Sequence, residues 1–144
     1  MVGGSKLSSY MTGEREPPPI AKLLGMRLVE FAEGAATFEL DVDGRLYNPM
    51  GTLHGGILCD LADAAMGFAW ASTLGEGETF TTIELKINFF KPVFTGRLRA
   101  SAKLVKRGRT IGMAQCDVLD EKGSLVARVS STLMTLRGEK AAGR

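Results

Sequence analysis

The sequence predicts an α+β fold in which one long helix is buried against a curved antiparallel sheet. Three observations carry that prediction. From His54 to about Leu74, apolar Ala, Leu, Met, Phe and Trp cover nearly the whole helical circumference, with Asp60 and Asp63 the only charges. A helix apolar almost all round must be buried on most sides. The residues after it divide into strand-length apolar or alternating segments, and the connections among the last three, at 107–109 and 121–123, are short enough for antiparallel hairpins. Parallel crossovers would need a dozen residues or more.

Taken in order, residues 1–19 are rich in Gly, Ser and charge and end in Pro17-Pro18-Pro19. They read as a flexible N-terminal arm outside the core. A short helix from Ile20 to Leu24 follows, with Gly25 as its stop, and the folded domain runs over 20–137. Met26 to Phe31 is an irregular strand. In the next, Ala36, Phe38, Leu40 and Val42 alternate with Thr37, Glu39 and Asp41, and Glu33-Gly34 turns between the two. Asp43 to Thr52 is a loop holding Asn48-Pro49 and Gly51. Beyond the buried helix, Ile83, Leu85, Ile87 and Phe89 face one way in the strand Thr82 to Phe90, and Thr82, Glu84, Lys86 and Asn88 face the other. Strands at about Leu98–Lys106, Thr110–Leu119 and Leu125–Leu136 complete the sheet, and 138–144 form a C-terminal tail. No repeat or second domain is visible.

The chain has 144 residues, 44% hydrophobic and 24% charged. That suits one domain with a core that needs no staples, since a chain this size buries roughly 68–70% of its unfolded surface. Eighteen basic against 16 acidic side chains give a net charge of +2, which argues against a nucleic-acid binder. The most apolar run, Ala62 to Trp70, falls far short of the roughly 20 residues that span a bilayer, and residues 1–19 lack the apolar centre of a secretory signal. No membrane association is expected. One histidine and two scattered cysteines do not make a zinc site. Cys59 and Cys116 read as two buried, reduced thiols of a cytoplasmic protein.

The histidine stands in an unusual place. The loop Asn48-Pro49-Met50-Gly51-Thr52-Leu53-His54-Gly55-Gly56 runs straight into the helix N-terminus, where free N–H groups and the helix dipole stabilise a bound anion or a developing oxyanion. Gly55 and Gly56 let a ligand approach that backbone. A bland reading, in which His54 is only a cap, fits the spacing equally well. Asp63 lies nine residues after His54, which on a helix is about 13.5 Å of rise on the opposite face. One helix cannot bring both groups to a single substrate, so a site using both must join two subunits, as a two-fold dimer does twice. Asp60 competes with Asp63 from near the same face. A carboxylate in so apolar a helix is costly to bury unpaired, which favours a functional role for at least one of them.

These residues carry a resemblance. The Asn48–Gly56 motif, Asp63 in register, and the strand from Thr81 to Pro92 resemble the hotdog-fold thioesterases, and among them the PaaI-type acyl-CoA thioesterases, over about Leu24 to Leu136. The resemblance implies a hotdog fold and hydrolysis of an acyl- or aryl-CoA to coenzyme A and free acid, with no metal and no cofactor, coenzyme A being part of the substrate. It implies that Asn48 and the Gly55 N–H hold the thioester carbonyl and its oxyanion. Asp63 of another subunit would act as general base or nucleophile, and Thr82 would orient the water. His54 would position Asn48 or sit near the leaving thiolate. The choice of Asp63 over Asp60 rests on this comparison. A homodimer at least, and a homotetramer built as a dimer of dimers, is implied as well.

Two further stretches are similar to the family's coenzyme A contacts: Phe90, Lys91, Pro92 and Val93, and the basic hairpin tip Lys106, Arg107, Gly108, Arg109 and Thr110, with Gly56 beside the loop. Taken alone, such a tip is a solvated surface; the motif upstream turns it into a phosphate grip. Met66, Phe68 and Trp70 read as core, with Met66 and Phe68 also able to line an acyl pocket, and Tyr47 as a neighbour of Asn48. Two alternatives stand beside this one: dehydration or hydration of hydroxyacyl thioesters on the same fold, with the histidine and carboxylate at different positions around the helix, and a non-catalytic acyl-CoA-binding protein.

Overall fold

The computed structural model describes residues 7–144. The main elements among the described residues follow in the order α1 (Pro19–Leu24), β1 (Arg27–Ala32), β2 (Ala35–Val42), α2 (Gly55–Ala71), β3 (Thr79–Phe89), β4 (Gly96–Lys106), β5 (Ile111–Leu119) and β6 (Leu125–Leu136). The strands form one antiparallel sheet ordered β1-β2-β4-β5-β6-β3, and α2 touches all six. This is the wrapped helix that the all-round apolar pattern called for, in the hotdog arrangement that the resemblance implies.

The apolar pattern of α2 maps onto its burial. Leu61, Ala62, Ala65, Met66, Ala69 and Trp70 are fully buried against the strands. The Trp70 indole N–H donates to Thr135 Oγ1 at 3.2 Å, so its one polar atom is satisfied inside the core. Gly112 makes room for the ring: a Cβ there would stand 2.7 Å from Trp70 Cζ3. The helix ends at Ala71, a turn earlier than the apolar run suggests, because Ser72 and Thr73 fold their hydroxyls back onto Ala69 O and Trp70 O. Ser72 Oγ also accepts the Gly34 N–H at 2.7 Å, tying the β1–β2 turn to the helix end. Gly34 takes φ of +74° there, as a glycine in a tight turn does.

Two expectations are corrected. Thr82 does not share a face with Glu84, Lys86 and Asn88. Register on β6 slips between Thr82 and Glu84, so Ile83 is an extra residue, a β-bulge. Phe80 and Thr82 therefore point at α2, and after the bulge Leu85 and Ile87 do so too. The side-chain period of two makes one inserted residue swap faces for everything beyond it. The second correction concerns the thiols. Cys116 is buried, but Cys59, next to exposed Asp60 on α2, is only half-buried.

Of the expected N-terminal arm, residues 1–6 lie outside the described residues. Leu7 packs against the core, and the Tyr10 ring meets Phe68 edge-on with centroids 5.7 Å apart. α1 closes with Gly25 in the left-handed conformation, its N–H bonded to Ala21 O. At the other end of the chain, residues 138–141 make one turn of 3-10 helix.

Candidate active site

The loop before α2 is organised by its own side chains. Asn48 Oδ1 accepts the N–H groups of Met50 and Thr52, and its Nδ2 donates to Thr52 Oγ1 at 2.9 Å. Tyr47 hands its hydroxyl proton to Phe94 O. His54 caps α2, its Nδ1 accepting the Gly56 N–H at 2.9 Å, so the ring proton sits on Nε2. No hydrogen bond links His54 to Asn48 among the described residues. Ile57 N–H returns to His54 O. The Gly55 N–H is the donor of this first turn left without a partner among the described residues, which is the state an oxyanion donor requires.

Gly55 and Asn48 open onto a cavity of about 450 Å3, walled by Leu53, Leu58 and Phe89 and by Phe90–Val93. Four of the residues expected at coenzyme A thus meet the two expected at the carbonyl. A Cβ at 55 would lie 2.9 Å from Phe89 Cζ, so any larger residue there would displace that ring from the cavity wall. Lys91 is paired with Asp120 at 2.5 Å.

Asp63 lies elsewhere. It is half-buried one face round and about 12 Å along the axis from Gly55, and Thr82 Oγ1 donates to its Oδ1 at 3.1 Å. Burial pushes its carboxyl above the usual range; the Thr82 hydrogen bond opposes this and the Asp60 charge adds to it. Asp60 is exposed, and its smaller loss of solvent moves it the same way. Both carboxylates face a second cavity, of about 310 Å3 and mainly apolar, lined also by Phe38, Phe68 and Phe80. The helix alone left Asp60 and Asp63 open; the hydroxyl from β3 separates them.

The basic hairpin tip stands at the far end of α2. Thr73, just past that end, accepts the Arg107 Nε proton at 2.7 Å, and the length of α2 from Gly55 to Ala71, about 24 Å, lies between it and Gly55. Arg107 is turned inward. Its guanidinium lies 4.2 Å over the Trp70 ring and donates to Gly108 O and to Thr135 Oγ1, and burial draws its pKa down. Thr110 and the Arg109 carbonyl are held by Arg137. Lys106 and the Arg109 side chain remain exposed. Arg107, Gly108 and Arg109 border an open cavity of about 650 Å3 with Arg137 and Glu33. One chain therefore holds the two expected coenzyme A stretches at opposite ends of its helix.

Phe80 and the apolar residues of the N-terminal segment, which line the cavity beside Asp63, were not expected there. Phe80 stands two before Thr82 on the same strand face, a spacing that points to it once Thr82 is singled out.

A six-stranded sheet wrapped on one helix that carries a half-buried carboxylate defines a hotdog-fold enzyme. The thioesterase superfamily profile matches residues 50–127, and the chain belongs to that superfamily of thioester hydrolases. It is 31% identical to the proofreading thioesterase EntH of Klebsiella pneumoniae over 100 residues, 69% of this chain and 73% of that one. Among solved structures it is similar to a Haemophilus influenzae thioesterase (TM-score 0.78, 30% identity, 82% of each chain). It is also similar to the Escherichia coli PaaI protein of the phenylacetic acid degradation operon (TM-score 0.82, 26% identity, 94% and 96% covered). No helix among the described residues is long and apolar enough to cross a membrane.

Proposed function

We propose that the enzyme hydrolyses an acyl-CoA thioester at a site shared by two subunits. One observation carries the reading: the two halves of a hydrolytic centre lie apart on one chain. Asp63 with Thr82 occupies one cavity, and the Gly55 N–H with Asn48 occupies another about 12 Å along the helix. A two-fold axis across α2 sets each half of one chain against the other half of its partner. The free edge of β3, eleven residues long, offers the backbone on which such a partner continues the sheet. The same axis brings the partner's hairpin tip, with Lys106 and Arg109, toward the cavity at Phe90–Val93, joining the two coenzyme A stretches.

In that site the Asp63 carboxylate takes a proton from water, held in line by Thr82, as the water oxygen bonds to the thioester carbon. The carbonyl oxygen gathers charge against the Gly55 N–H and Asn48 of the partner subunit. The C–S bond then breaks, the thiolate of coenzyme A leaves with the proton from Asp63, and the free acid remains. Direct attack by Asp63 would pass through an anhydride; where water opens it at the Asp63 carbonyl, the bridging oxygen of Asp63 leaves in the product acid, and unlabelled acid from single-turnover hydrolysis in 18O water marks that route.

The test is thiol release over a panel of acyl-CoAs with Asp63→Asn as control. Turnover that the variant abolishes supports the reading, and no release from any member moves it to hydratase chemistry or binding. Mixed Asp63→Asn and Asn48→Ala subunits should regain activity through hybrid dimers. No recovery after verified exchange would return the site to one chain.

A further inference from the structure

We propose that the N-terminal segment from Leu7 to Met26 is the specificity wall of the acyl pocket, which takes an uncharged, unhydroxylated acyl group of about six to eight carbons. The inference rests on the thioesterase reading above and names the acyl class it leaves open. The cavity that holds Asp63 and Thr82 is closed on its far flank by Leu7, Pro18, Ile20, Ala21 and Met26. A carbonyl placed for attack beside Asp63 therefore sends its acyl tail against this segment.

Size and polarity fix the class. The cavity's volume of about 310 Å3 is about twice the ~150 Å3 that encloses one benzene, enough for a phenyl ring on a short linker or a medium aliphatic chain. Among its described lining residues the polar side chains are Asp60, Asp63 and Thr82, all on the catalytic side. A ring hydroxyl or terminal carboxylate at the wall meets no side-chain donor and loses its water uncompensated. A terminal carboxylate also faces two aspartates and no cation.

The wall is docked through aromatic contacts. Tyr10 rests edge-on against Phe68, and Phe68 against Phe38 with centroids 5.1 Å apart. Beneath Tyr10 and Met11 a neighbouring cavity of about 240 Å3 shares Pro18, Ala21, Phe38 and Phe68 with the first. Removing the Met26 side chain, which lines both, would merge the two spaces, and a larger side chain at Ile20 would shorten the first. Ile20 lines the cavity and is 49% exposed, so a larger ring there lies across the cavity's rim without entering the packed core.

The experiment measures kcat/KM for butyryl-, octanoyl-, dodecanoyl-, phenylacetyl- and 4-hydroxyphenylacetyl-CoA on the full chain and two variants. Wild type should favour phenylacetyl over 4-hydroxyphenylacetyl by about tenfold to a hundredfold. Ile20→Trp should lower the octanoyl-to-butyryl ratio about tenfold, and Met26→Ala should raise the dodecanoyl-to-octanoyl ratio by a similar factor. Each readout compares substrates on one preparation, so a partly misfolded fraction cancels. Unchanged ratios in both variants, or equal use of the hydroxylated ring, overturn the proposal while Asp63-dependent thiol release still stands. Absence of such release in wild type overturns the thioesterase site and this inference with it.

Discussion

Arg107→Ala tests whether the hairpin tip grips substrate through this side chain or uses it to hold the fold. The guanidinium makes hydrogen bonds to Thr73 Oγ1, Thr135 Oγ1 and Gly108 O and stacks on Trp70. Hydrogen bonds involving a charged group are worth about 1.5–3 kcal/mol each. Three at the low end, with about 1 kcal/mol for the cation–π contact, come to roughly 5–6 kcal/mol. Freeing the side chain returns about 2 kcal/mol of rotamer entropy. The net loss is then about 3 kcal/mol, or roughly 6–12 °C in Tm for a domain of this size. Urea unfolding at fixed protein concentration should show a lower midpoint with an unchanged slope, and KM for the acyl-CoA should stay close to wild type. Arg107→Lys recovers less than half of the loss, since an ammonium cannot span three acceptors and a ring. An unchanged midpoint with KM raised tenfold would refute the reasoning and put the guanidinium on the substrate.

Asp63→Asn should abolish turnover and also stabilise the fold at neutral pH. Burial raises the Asp63 pKa, so the wild type loses stability as pH climbs from its unfolded value near 3.8 through the higher folded one; melting curves of the two proteins should converge below pH 3.8 and separate above it. Asp60→Asn removes a charge that raises Asp63, so the acid limb of the kcat/KM profile should move to lower pH, and a limb that stays put or moves up contradicts the assignment of Asp63 as the ionising group. Gly55→Ala should leave Tm within a few degrees, because the clashing atom is the tip of half-exposed Phe89, while the displaced ring costs on the order of 10²-fold in kcat/KM; wild-type activity would remove Gly55 from the site.

The helix and its hairpin wrapper were legible because each has a local cause: an apolar circumference that demands cover, and turns too short for a crossover. The separation of His54 from Asp63 along one chain was legible too, since the rise between them is fixed by helix geometry. The facing of Thr82 was not. Ile83 has the same β-branched, apolar character as Ile87, and only pairing with β6 reveals it as the extra residue. Nor was the inward turn of Arg107, whose partners Trp70, Thr73 and Thr135 lie 28–37 positions away in sequence. Basic residues around a glycine look alike whether they point to solvent or into the sheet.

The bulge at Ile83 makes this protein sensitive to residue count where it is indifferent to residue kind. Ile83 is 52% exposed, so a substitution scan should score it as a tolerant site. Deleting it would instead throw either Phe80 and Thr82 or Leu85 and Ile87 onto the outer face, parting Asp63 from its hydroxyl or stripping the core. Within an aligned set of such chains, position 83 would then drift freely in identity while gaps there were purged, a constraint that per-column variability does not register.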